Sequence, residues 1–540
     1  MFRTDEVACA LYSETAAVAR VIPRAVAVPA DAEDVITLAR WAAAQGQSLV
    51  PRGSGSSMAG GALGEGVIVD FARLGSRPEL LGTEPTIARV GPAVTRDALE
   101  EVAAHAGLTF PVDPSSSGFA TLGGMCATNA AGARTVLHGA MRRWVHGLDC
   151  VFADGSRAWL RRGERPANDA GLVPALQRFH RDVAPRVRAA GASALRHEGV
   201  RKESSGYGLA DWLESGDDVD LIIGSEGTLA CIVGLELRLK EAPGATASVL
   251  AGFLSLEAAV TVAARLAELG ASAVELLDRS FLEVAASDGA VLPLPAGLEA
   301  VLIIEAEGAS HEAARSVADE LAASCRAGGA EHIDVALGVE DELRLWHLRH
   351  AASPILNRLA PRLQSMQLVE DGCVPLERFV EYVRGVRGAL DDARLAGVIF
   401  GHAGDGHAHV NALVDVTEAD WRERVTRLVS DVTALVARLG GTLAGEHGDG
   451  RLRAPLMSQV WRGEALALFA ATKAAFDPDG VLNPGVKIAA AGARALEGVK
   501  YDPALTPLPR AAREALDRVV REKAWGTHRL ALLGEAAAAV

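Results

Sequence analysis

Residues 111–139 read PVDPSSSGFATLGGMCATNAAGARTVLHG, a segment in which Gly118, Gly123, Gly124 and Gly132 are spaced among small polar residues. A structureless loop of this length is rare inside a compact domain unless it binds something. We therefore interpret the segment as a ligand-binding loop rather than as a simple connection.

A second glycine-rich segment, PRGSGSSMAGG at Pro51–Gly61, follows a predicted strand. Consecutive glycines and serines let backbone N–H groups turn toward an anion, and the hydroxyls add donors. The segment has neither the Gly-Lys-Ser/Thr ending of a Walker A loop nor the GxGxxG fingerprint, and alone it is equally typical of a mobile loop. Together with residues 111–139 and IIGSEGTLACIV at 222–233, it predicts a site for an extended nucleotide cofactor.

Around these segments, strand-like apolar runs alternate with helical patterns. VIPRAVAVPA at 21–30 is predicted as a strand, and ADAEDVITLARWAAAQG at 30–46 as a helix. VHGLDCVFADGSRAWL at 145–160 predicts a hairpin that turns at Asp154-Gly155. Residues 221–240 are predicted as two strands around a Gly/Ser/Glu turn. The fold class that follows from this alternation is α/β or α+β, and we predict α+β.

Four regions are expected along the chain. A cofactor-binding domain spans 20–242 and ends near EAPGATAS, and a substrate or cap domain spans 243–438, where a mixed sheet carries helices on one face. A helical segment at 439–490 completes the site. The tail at 491–540 contains no motif that reveals its chemistry, and it is either a docking segment or a vestigial linker.

The 540 residues carry 54 basic and 69 acidic side chains, a net charge of −15. Without a basic face, nucleic acid is excluded as a partner. No apolar run reaches the roughly 18 residues that span a bilayer, and the acidic start MFRTDEVACALYSE is unlike a signal peptide. Six isolated cysteines without a CxxC pair predict neither disulfides nor an iron–sulfur cluster. The sequence predicts a cytoplasmic protein that is not integral to a membrane, with peripheral membrane association as the alternative.

Two segments carry a cluster of imidazoles and carboxylates: VIFGHAGDGHAHVNALV at Val398–Val414 and LAGEHGDGR at 443–451. In the first, the two-residue period of a strand puts three polar side chains on one face, and a fourth can fold back from the AGDG turn: His407, His409, Asn411 and His402. The second adds Glu446 and His447. Such groups are ligands for Zn²⁺, Mn²⁺ or Fe²⁺, and three protein ligands leave room for a substrate. The alternative is an exposed polar strand face, but the second cluster argues against it.

LRLWHLRHAAS at Leu343–Ser353 places Arg349 on a predicted helix, with Ser353 one turn later on the same face. Arginine can grip a carboxylate through two parallel hydrogen bonds, which lysine cannot. Arg349 is therefore a candidate for binding a carboxylate, with Ser353 in a position to assist. The alternative is an arginine on a helix surface.

The order PRGSGSS, DPSS–ATLGGM–N–G, SGYGL and GSEGTL resembles the flavin-binding half of the vanillyl-alcohol-oxidase/PCMH superfamily. The resemblance implies a PCMH-type FAD-binding domain of two α/β subdomains, in which the first segment wraps the FAD pyrophosphate and the second runs along the flavin. Some members tether FAD through His or Cys, but the first segment contains no His, so we expect FAD to be non-covalent. The residues implied to contact FAD are Pro51, Arg52, Gly53, Ser54, Gly55, Ser56, Ser57, Pro114, Ser115, Thr121, Gly123, Gly124, Asn129, Gly132, Glu226, Gly227, Ile232 and, in FDPDGVLNPGVK, Asn483.

The pattern GHxGDGxxHxN, followed by GEHG, resembles the FAD-dependent D-2-hydroxyacid dehydrogenases, a group that includes D-lactate, glycolate and D-2-hydroxyglutarate enzymes. The resemblance implies that His402, His409 and Glu446 bind a divalent metal, with zinc favoured over manganese or iron. It also implies that Asn411 and His447 face the substrate, and that Arg349, at the matching Trp-x-x-Arg position, binds the substrate carboxylate. His407 lies at a variable position of the motif and is expected to be a neighbour of the ligands or a chance occurrence.

One position departs from part of that group. Where some hydroxyglutarate enzymes place a substrate lysine, this sequence has Val369, which argues against the longer dicarboxylate. GEHGDGR and VEDGCVP are most similar to large bacterial members that continue into a cysteine-rich iron–sulfur domain. Such a domain is absent from this sequence, so we expect an external electron acceptor, either an iron–sulfur protein or a quinone. The resemblance also makes a homodimer plausible.

These patterns predict oxidation of a small D-2-hydroxyacid, with D-lactate or glycolate favoured, to the 2-oxoacid. Hydride would pass to flavin N5, and His447 would be the general base. Two alternatives remain: a non-oxidative flavin transferase of the alkylglycerone-phosphate synthase type, and a flavin subunit that relays electrons within a complex. The intact metal motifs weaken both.

Overall fold

The structure is a computed structural model that describes residues 1–82, 86–164, 171–286, 294–356 and 362–533, with the backbone alone for 350–356. It contains helices and three main sheets, and the α+β class predicted from the sequence is confirmed. None of the helices in the described ranges combines the length and the apolar character that crossing a bilayer requires.

The first sheet is small and mostly parallel. Its order is β1-β2-β4-β3, and only β1 runs antiparallel to its neighbour. The helix after β2 begins where the Asp31 side chain accepts a hydrogen bond from the Asp34 N–H, and it ends at the left-handed Gly46. These elements are β1 (Phe2–Arg3), β2 (Ala25–Ala27), β3 (Leu49–Arg52), β4 (Val67–Asp70), α1 (Glu6–Leu11) and α2 (Ala32–Gln45).

The second sheet is antiparallel, with the order β5-β6-β10-β8-β9. The hairpin predicted at Asp154-Gly155 joins β8 to β9. The strands are β5 (Glu79–Leu81), β6 (Ile87–Val90), β8 (Val145–Val151), β9 (Arg157–Arg161) and β10 (Cys231–Arg238), with a separate pair β7 (Leu108–Thr109) and β11 (Lys240–Glu241). The helices are α3 (Arg96–Ala104), α4 (Leu122–Thr128), α5 (Thr135–His138), α6 (Pro174–Arg178), α7 (Ala184–Ala190), α8 (Leu209–Ser215) and α9 (Val219–Ile222).

Two predictions for this half were wrong. The first of the two strands predicted around the turn in 221–240 is absent: Leu221 and Ile222 end a short helix, and positive φ values at Gly224, Glu226 and Gly227 interrupt extended backbone before β10 begins at Cys231. Residues 111–139 are not structureless either. The Thr121 side chain caps α4 by accepting from the Gly124 N–H, and Asn129 ends it in the left-handed conformation.

The third sheet has the order β15-β12-β14-β13-β18-β19-β16, with β17 beside β19. Every described pairing is antiparallel, whereas a mixed sheet was predicted. The reason is that β14 lies between β12 and β13, so the parallel strands of this strand–helix–strand unit are not neighbours. The strands are β12 (Ala245–Phe253), β13 (Ala271–Asp278), β14 (Ala300–Gly308), β15 (Ala330–Leu337), β16 (Leu363–Met366), β17 (Gly372–Cys373), β18 (Ala396–His402) and β19 (His407–Asp415).

Helices cover both faces of this sheet, not one face as predicted. The strand side chains alternate between two apolar cores, one shared with α10, α12, α14 and α15 and the other with α11 and α13. A sheet whose strands carry apolar side chains on both faces needs helices packed against both faces. These helices are α10 (Leu256–Leu266), α11 (Arg279–Ala286), α12 (His311–Ala327), α13 (Val339–Leu356), α14 (Phe379–Asp392) and α15 (Trp421–Leu439).

The chain after residue 440 returns to the first half. Leu468, Phe469 and Phe476 enter the core of the second sheet, and the last described helix packs with α1 over the first sheet. The helices are α16 (Gly450–Arg453), α17 (Met457–Val460), α18 (Gly463–Phe476) and α19 (Arg510–Arg521). The segment 443–453 therefore lies where the two halves meet.

Candidate active site

A cleft of about 210 Å³ runs between the glycine-rich segments and ends at Glu446 and His447. Most of the residues predicted to contact a flavin nucleotide line it: Pro51, Arg52, Gly53, Ser54, Gly55, Ser56, Ser57, Pro114, Ser115, Thr121, Gly123, Gly124, Glu226, Gly227 and Ile232. The cleft and the histidine–carboxylate cluster therefore form one continuous space.

The glycines bring the walls of the cleft together. A Cβ atom on Gly53 would lie 2.3 Å from Thr121 Oγ1, so only glycine lets the first segment approach the second this closely. Gly227 has a φ of +69°, and a Cβ there would lie 2.9 Å from Pro51 Cγ. Backbone amides rather than long side chains thus form much of the wall.

Three predicted contact residues lie behind the wall instead. Asn129 accepts from the Arg142 N–H, and the Gly132 carbonyl accepts from Lys202 Nζ at 2.8 Å. Asn483 donates through Nδ2 to the carbonyls of Gly61 and Glu226, at 2.8 Å each. Within the described ranges, these three residues brace the loops rather than line the space.

Arg52 is almost fully buried, and its guanidinium donates to the carbonyls of Tyr12 and Glu14 at 3.0 Å each. Its charge is therefore already used to hold the N-terminal segment.

Sequence reasoning missed a further group of small or apolar residues that line the cleft, because no residue type among them signals cofactor binding by itself. They are Met58, Gly61, Ala62, Phe71, Pro92, Ser116, Ala120, Met125, Ala127, Thr128, Ala130, Ala131 and Ala230.

At the end of the cleft, three imidazoles converge on one carboxylate oxygen. Glu446 Oε1 lies 3.4 Å from His402 Nε2, 3.3 Å from His409 Nε2 and 3.5 Å from His447 Nε2. His402 ends β18 and His409 lies on β19, which pairs with it in an antiparallel hairpin. The hairpin explains why residues separated by one turn meet.

The chemistry of these donors fits a divalent metal. With metal–ligand bonds of about 2.0–2.1 Å, neighbouring ligands of a tetrahedral site lie about 3.3 Å apart. The other ring nitrogens are engaged, since His402 Nδ1 lies 2.5 Å from Glu275 Oε1 and His409 Nδ1 lies 2.9 Å from the Glu370 carbonyl. Hydrogen bonds of this kind orient metal-binding histidines and leave Nε2 free.

Lys202 was not predicted, and it is completely buried against the cluster. Its Nζ lies 3.2 Å from Glu446 Oε2 and 3.4 Å from Asp405 Oδ2. It therefore holds the oxygen of Glu446 that faces away from the imidazoles. The same amine donates to the Gly132 carbonyl, which ties the cluster to the glycine-rich segment.

A second group of unpredicted charges surrounds His447. Its Nδ1 lies 3.0 Å from Glu370 Oε1, while Arg453 pairs with Glu370 and lies 3.2 Å from Asp371. Burial opposes ionisation of Glu370, but Arg453 and His447 outweigh it and hold the pKa of that carboxyl well below its usual range. The pair Glu370–Asp371 thus stays anionic and positions the imidazole.

The histidines respond differently to these carboxylates. Burial lowers the pKa of His402, yet Glu275 outweighs burial and raises it to about 9; Asp371 and Glu370 likewise raise the pKa of His447 to about 9 against burial. His407 lies 2.9 Å through Nε2 from Asp371 Oδ1, but burial dominates and lowers its pKa to about 3. His407 is therefore neutral, and one of its ring nitrogens lies within 4.8 Å of the ligand atoms.

Arg349 is buried beside the cluster and not on a helix surface. Its Nε donates to Glu275 Oε2 at 2.6 Å, and its guanidinium lies 4.8 Å from the centre of the Phe400 ring. One carboxylate thus orients both Arg349 and His402. Asn411 is buried on β19, two residues beyond His409 and on the same face. The side chain of Ser353 lies outside the described residues.

Comparisons with known proteins match both halves of the chain. Residues 23–161 match the family model of an FAD binding domain, and residues 242–486 match that of FAD linked oxidases, C-terminal domain. A solved structure of 4-ethylphenol oxidase from Gulosibacter chungangensis superposes with a TM-score of 0.65, covering 90% of this chain and 94% of that one at 16% identity. At that identity the likeness concerns the fold.

Two curated relatives are more similar in sequence. Glycolate oxidase subunit GlcD of Bacillus subtilis is 29% identical over 86% of this chain and 88% of its own length. D-2-hydroxyglutarate dehydrogenase of Escherichia coli is 30% identical over 86% of this chain, but the match spans 48% of that protein. The chain therefore belongs to the FAD-linked oxidase family, as an oxidoreductase of the D-2-hydroxyacid dehydrogenase and glycolate oxidase type.

Proposed function

We propose that the protein oxidises a small D-2-hydroxyacid, with D-lactate or glycolate favoured, to the 2-oxoacid in a reaction that requires non-covalent FAD and a divalent metal. The observation that carries the proposal is that Glu446 and His447 belong both to the imidazole cluster and to the lining of the flavin cleft. In this proposal residues 20–242 bind FAD, 243–438 bind substrate, and 439–490 join the two sites.

When bound, FAD accepts the hydride, and a divalent metal, with zinc favoured over manganese or iron, polarises the hydroxyl and one carboxylate oxygen. Two imidazoles and Glu446 would hold the metal through His402 Nε2, His409 Nε2 and Glu446 Oε1, whose spacing supports this assignment. Lys202 keeps the second oxygen of Glu446 occupied.

Other residues would bind and deprotonate the substrate. Arg349 has one nitrogen bound to Glu275, and the rest of its planar fork is suited to a carboxylate. His447 is held by Glu370 at Nδ1, so Nε2 is the atom that can take the hydroxyl proton once it is neutral. Asn411, on the same face as His409, is assigned to the substrate side, and Ser353 assists Arg349.

The lining of the cleft supports non-covalent binding of FAD. Among the described lining residues there is no cysteine, and the histidine present, His447, is engaged by Glu370. Val369 is buried and carries no charge to bind a second carboxylate, which supports a substrate with a single carboxylate. The electron acceptor would be an external iron–sulfur protein or a quinone.

The test is the visible spectrum of the purified protein under anaerobic conditions. D-lactate, L-lactate, glycolate, D-malate and D-2-hydroxyglutarate are added separately, before and after chelation of metal. Bleaching of the flavin band by a short D-acid or glycolate, lost on chelation and restored by metal, is expected. A flavin that no hydroxyacid bleaches would contradict the proposal in favour of a transferase or a relay subunit, and product analysis would separate those two.

A further inference from the structure

The C-terminal tail is built into the fold although no motif in it suggested a role. Helix α19 packs with α1 over the first sheet in an apolar core that includes Leu516 and Leu530. Arg513 pairs with Glu14 at 3.0 Å, and the Lys500 amine donates to the Thr15 carbonyl at 3.0 Å. The tail thus contacts the same N-terminal segment whose Tyr12 and Glu14 carbonyls accept hydrogen bonds from Arg52.

Beyond α19 the tail reaches the two segments that wall the flavin cleft. The Trp525 ring lies 6.3 Å from the ring of Phe119, within the second glycine-rich segment. Arg529 Nη2 donates to the carbonyl of Ser54 at 3.2 Å, within the first segment. One stretch of tail therefore touches both walls at residues next to or within the lining of the cleft.

Arg529 is 2% exposed, and its hydrogen-bonding capacity is largely unused. Within the part of the chain that the structure describes, its Nε and Nη1 atoms are buried without a hydrogen-bond partner. A buried guanidinium with unpaired donors is costly, because its desolvation is not repaid. An acceptor that is not a described protein atom would remove that cost.

The charges around Arg529 indicate the sign of that acceptor. Arg52 is also buried nearby, and burial together with Arg52 lowers the pKa of Arg529 to about 9. The buried carboxylate in this group is Asp70, which accepts from the Tyr12 hydroxyl at 2.5 Å. Two guanidiniums against one carboxylate leave an excess of positive charge beside the loop that carries Ser54. An anion would balance this excess charge.

We propose that the C-terminal segment 491–533 is part of the cofactor site and that Arg529 binds a phosphate of FAD next to Ser54. The inference rests on FAD being bound in the cleft. The matched family models end at residue 486, before the segment that carries this contact. Arg529 would supply the cationic phosphate contact that Arg52 cannot, because Arg52 is committed to the Tyr12 and Glu14 carbonyls.

The experiment compares flavin binding to the full-length apoprotein of the wild type, Arg529→Gln and Arg510→Gln. Arg510 lies in the same tail, but its side chain is 92% exposed and pairs with Glu514. FAD and riboflavin, which has no phosphate, are titrated separately by flavin fluorescence. Loss of a charged hydrogen bond is expected to weaken FAD binding about tenfold to hundredfold in Arg529→Gln, with riboflavin binding unchanged and Arg510→Gln like the wild type.

Equal FAD affinity in Arg529→Gln and wild type would overturn the proposal, and so would an equal loss of FAD and riboflavin binding, which would indicate a structural role. If Arg529→Gln does not fold, limited proteolysis of the wild type decides instead. FAD, but not riboflavin, is expected to protect the tail from cleavage, and equal cleavage in both would overturn the proposal. A wild type that binds no FAD would contradict the cofactor assignment itself.

Discussion

The flavin cleft and the imidazole cluster meet at Glu446 and His447, yet they are built by different means. The cleft is walled mainly by small residues, where glycines such as Gly53 let backbone segments approach each other. The cluster consists of buried charged side chains held by other charged side chains, as Glu446 is by Lys202. One region depends on the absence of side chains and the other on their exact pairing, so substitutions should affect them differently.

The largest expected effect is at the residue shared by the two regions. Glu446→Gln removes the charge on which His402, His409 and His447 converge, so metal binding and flavin reduction by a hydroxyacid should be abolished while FAD stays bound. Metal analysis and anaerobic absorption spectra measure both. Glu236→Gln, a buried carboxylate of the second sheet that pairs with Arg89 and Arg161, is the control. Retention of one metal ion per chain in Glu446→Gln would show that metal binding does not depend on this carboxylate.

A smaller effect is expected at the lysine behind the cluster. Lys202→Met leaves the second oxygen of Glu446 without its cation, and loss of such an orienting group lowers metal affinity about tenfold to hundredfold. Metal titration of the apoprotein measures this loss, with Lys240→Met, a partly exposed lysine that pairs with Glu307, as the control. Unchanged metal affinity in Lys202→Met would show that Glu446 needs no such support.

The cleft should respond through shape instead. Gly53→Ala would place a methyl group 2.3 Å from Thr121 Oγ1, so the two walls must separate and FAD affinity should fall roughly tenfold, while metal affinity is retained. Gly118→Ala in the second segment is the matched control, since its Cβ would lie 3.4 Å from Asp97 Oδ2, an ordinary contact. Fluorescence titration with FAD measures the effect. Loss of metal binding in Gly53→Ala would show that the cleft and the cluster do not respond independently to substitution.

The smallest effect concerns the contact between the first half and the third sheet, where Glu307 accepts hydrogen bonds from His138 and Lys240. Burial opposes ionisation of Glu307, but these bonds outweigh it and lower its pKa to about 2. Because that value lies below the ordinary pKa of about 4.3, the carboxylate stabilises the folded protein fully above that pH, and the stabilisation is lost as the pH falls toward 2.

Denaturant unfolding of wild type and Glu307→Gln tests this at several pH values. The difference in the free energy of unfolding between them should shrink as the pH is lowered from about 5 toward 2. A difference that does not change with pH would show that Glu307 is not held ionised by these contacts.

The same contrast explains what could be predicted from the sequence. Gly53 and Thr121 lie in compositionally unusual segments, and His402, His409 and Glu446 lie in spaced motifs, so each carried a local signal. Lys202, Glu275 and Glu370 carried no signal for this role, although Glu370 lies in the VEDGCVP segment. Only the packing of distant strands and loops brings these three residues to the cluster.

The errors in the fold have a similar origin. The apolar run Leu221–Ile223 was predicted as a strand, but it lies at the end of a short helix. The chain then turns at Glu226, which has a positive φ that glutamate seldom adopts. The antiparallel third sheet was missed because the sequence shows which helices join which strands but not that β14 inserts between β12 and β13. Strand order is a property of the assembled sheet.

The claim that cleft and cluster form one active site is tested most directly by metal titration. Zn²⁺ or Mn²⁺ is added stepwise to metal-free, FAD-loaded protein, and the anaerobic rate of flavin reduction by the active hydroxyacid is measured at each step. The rate is expected to rise and to saturate at one metal ion per chain in the wild type, and to stay at its metal-free level in Glu446→Gln. A wild-type rate that is already maximal without metal would contradict the account.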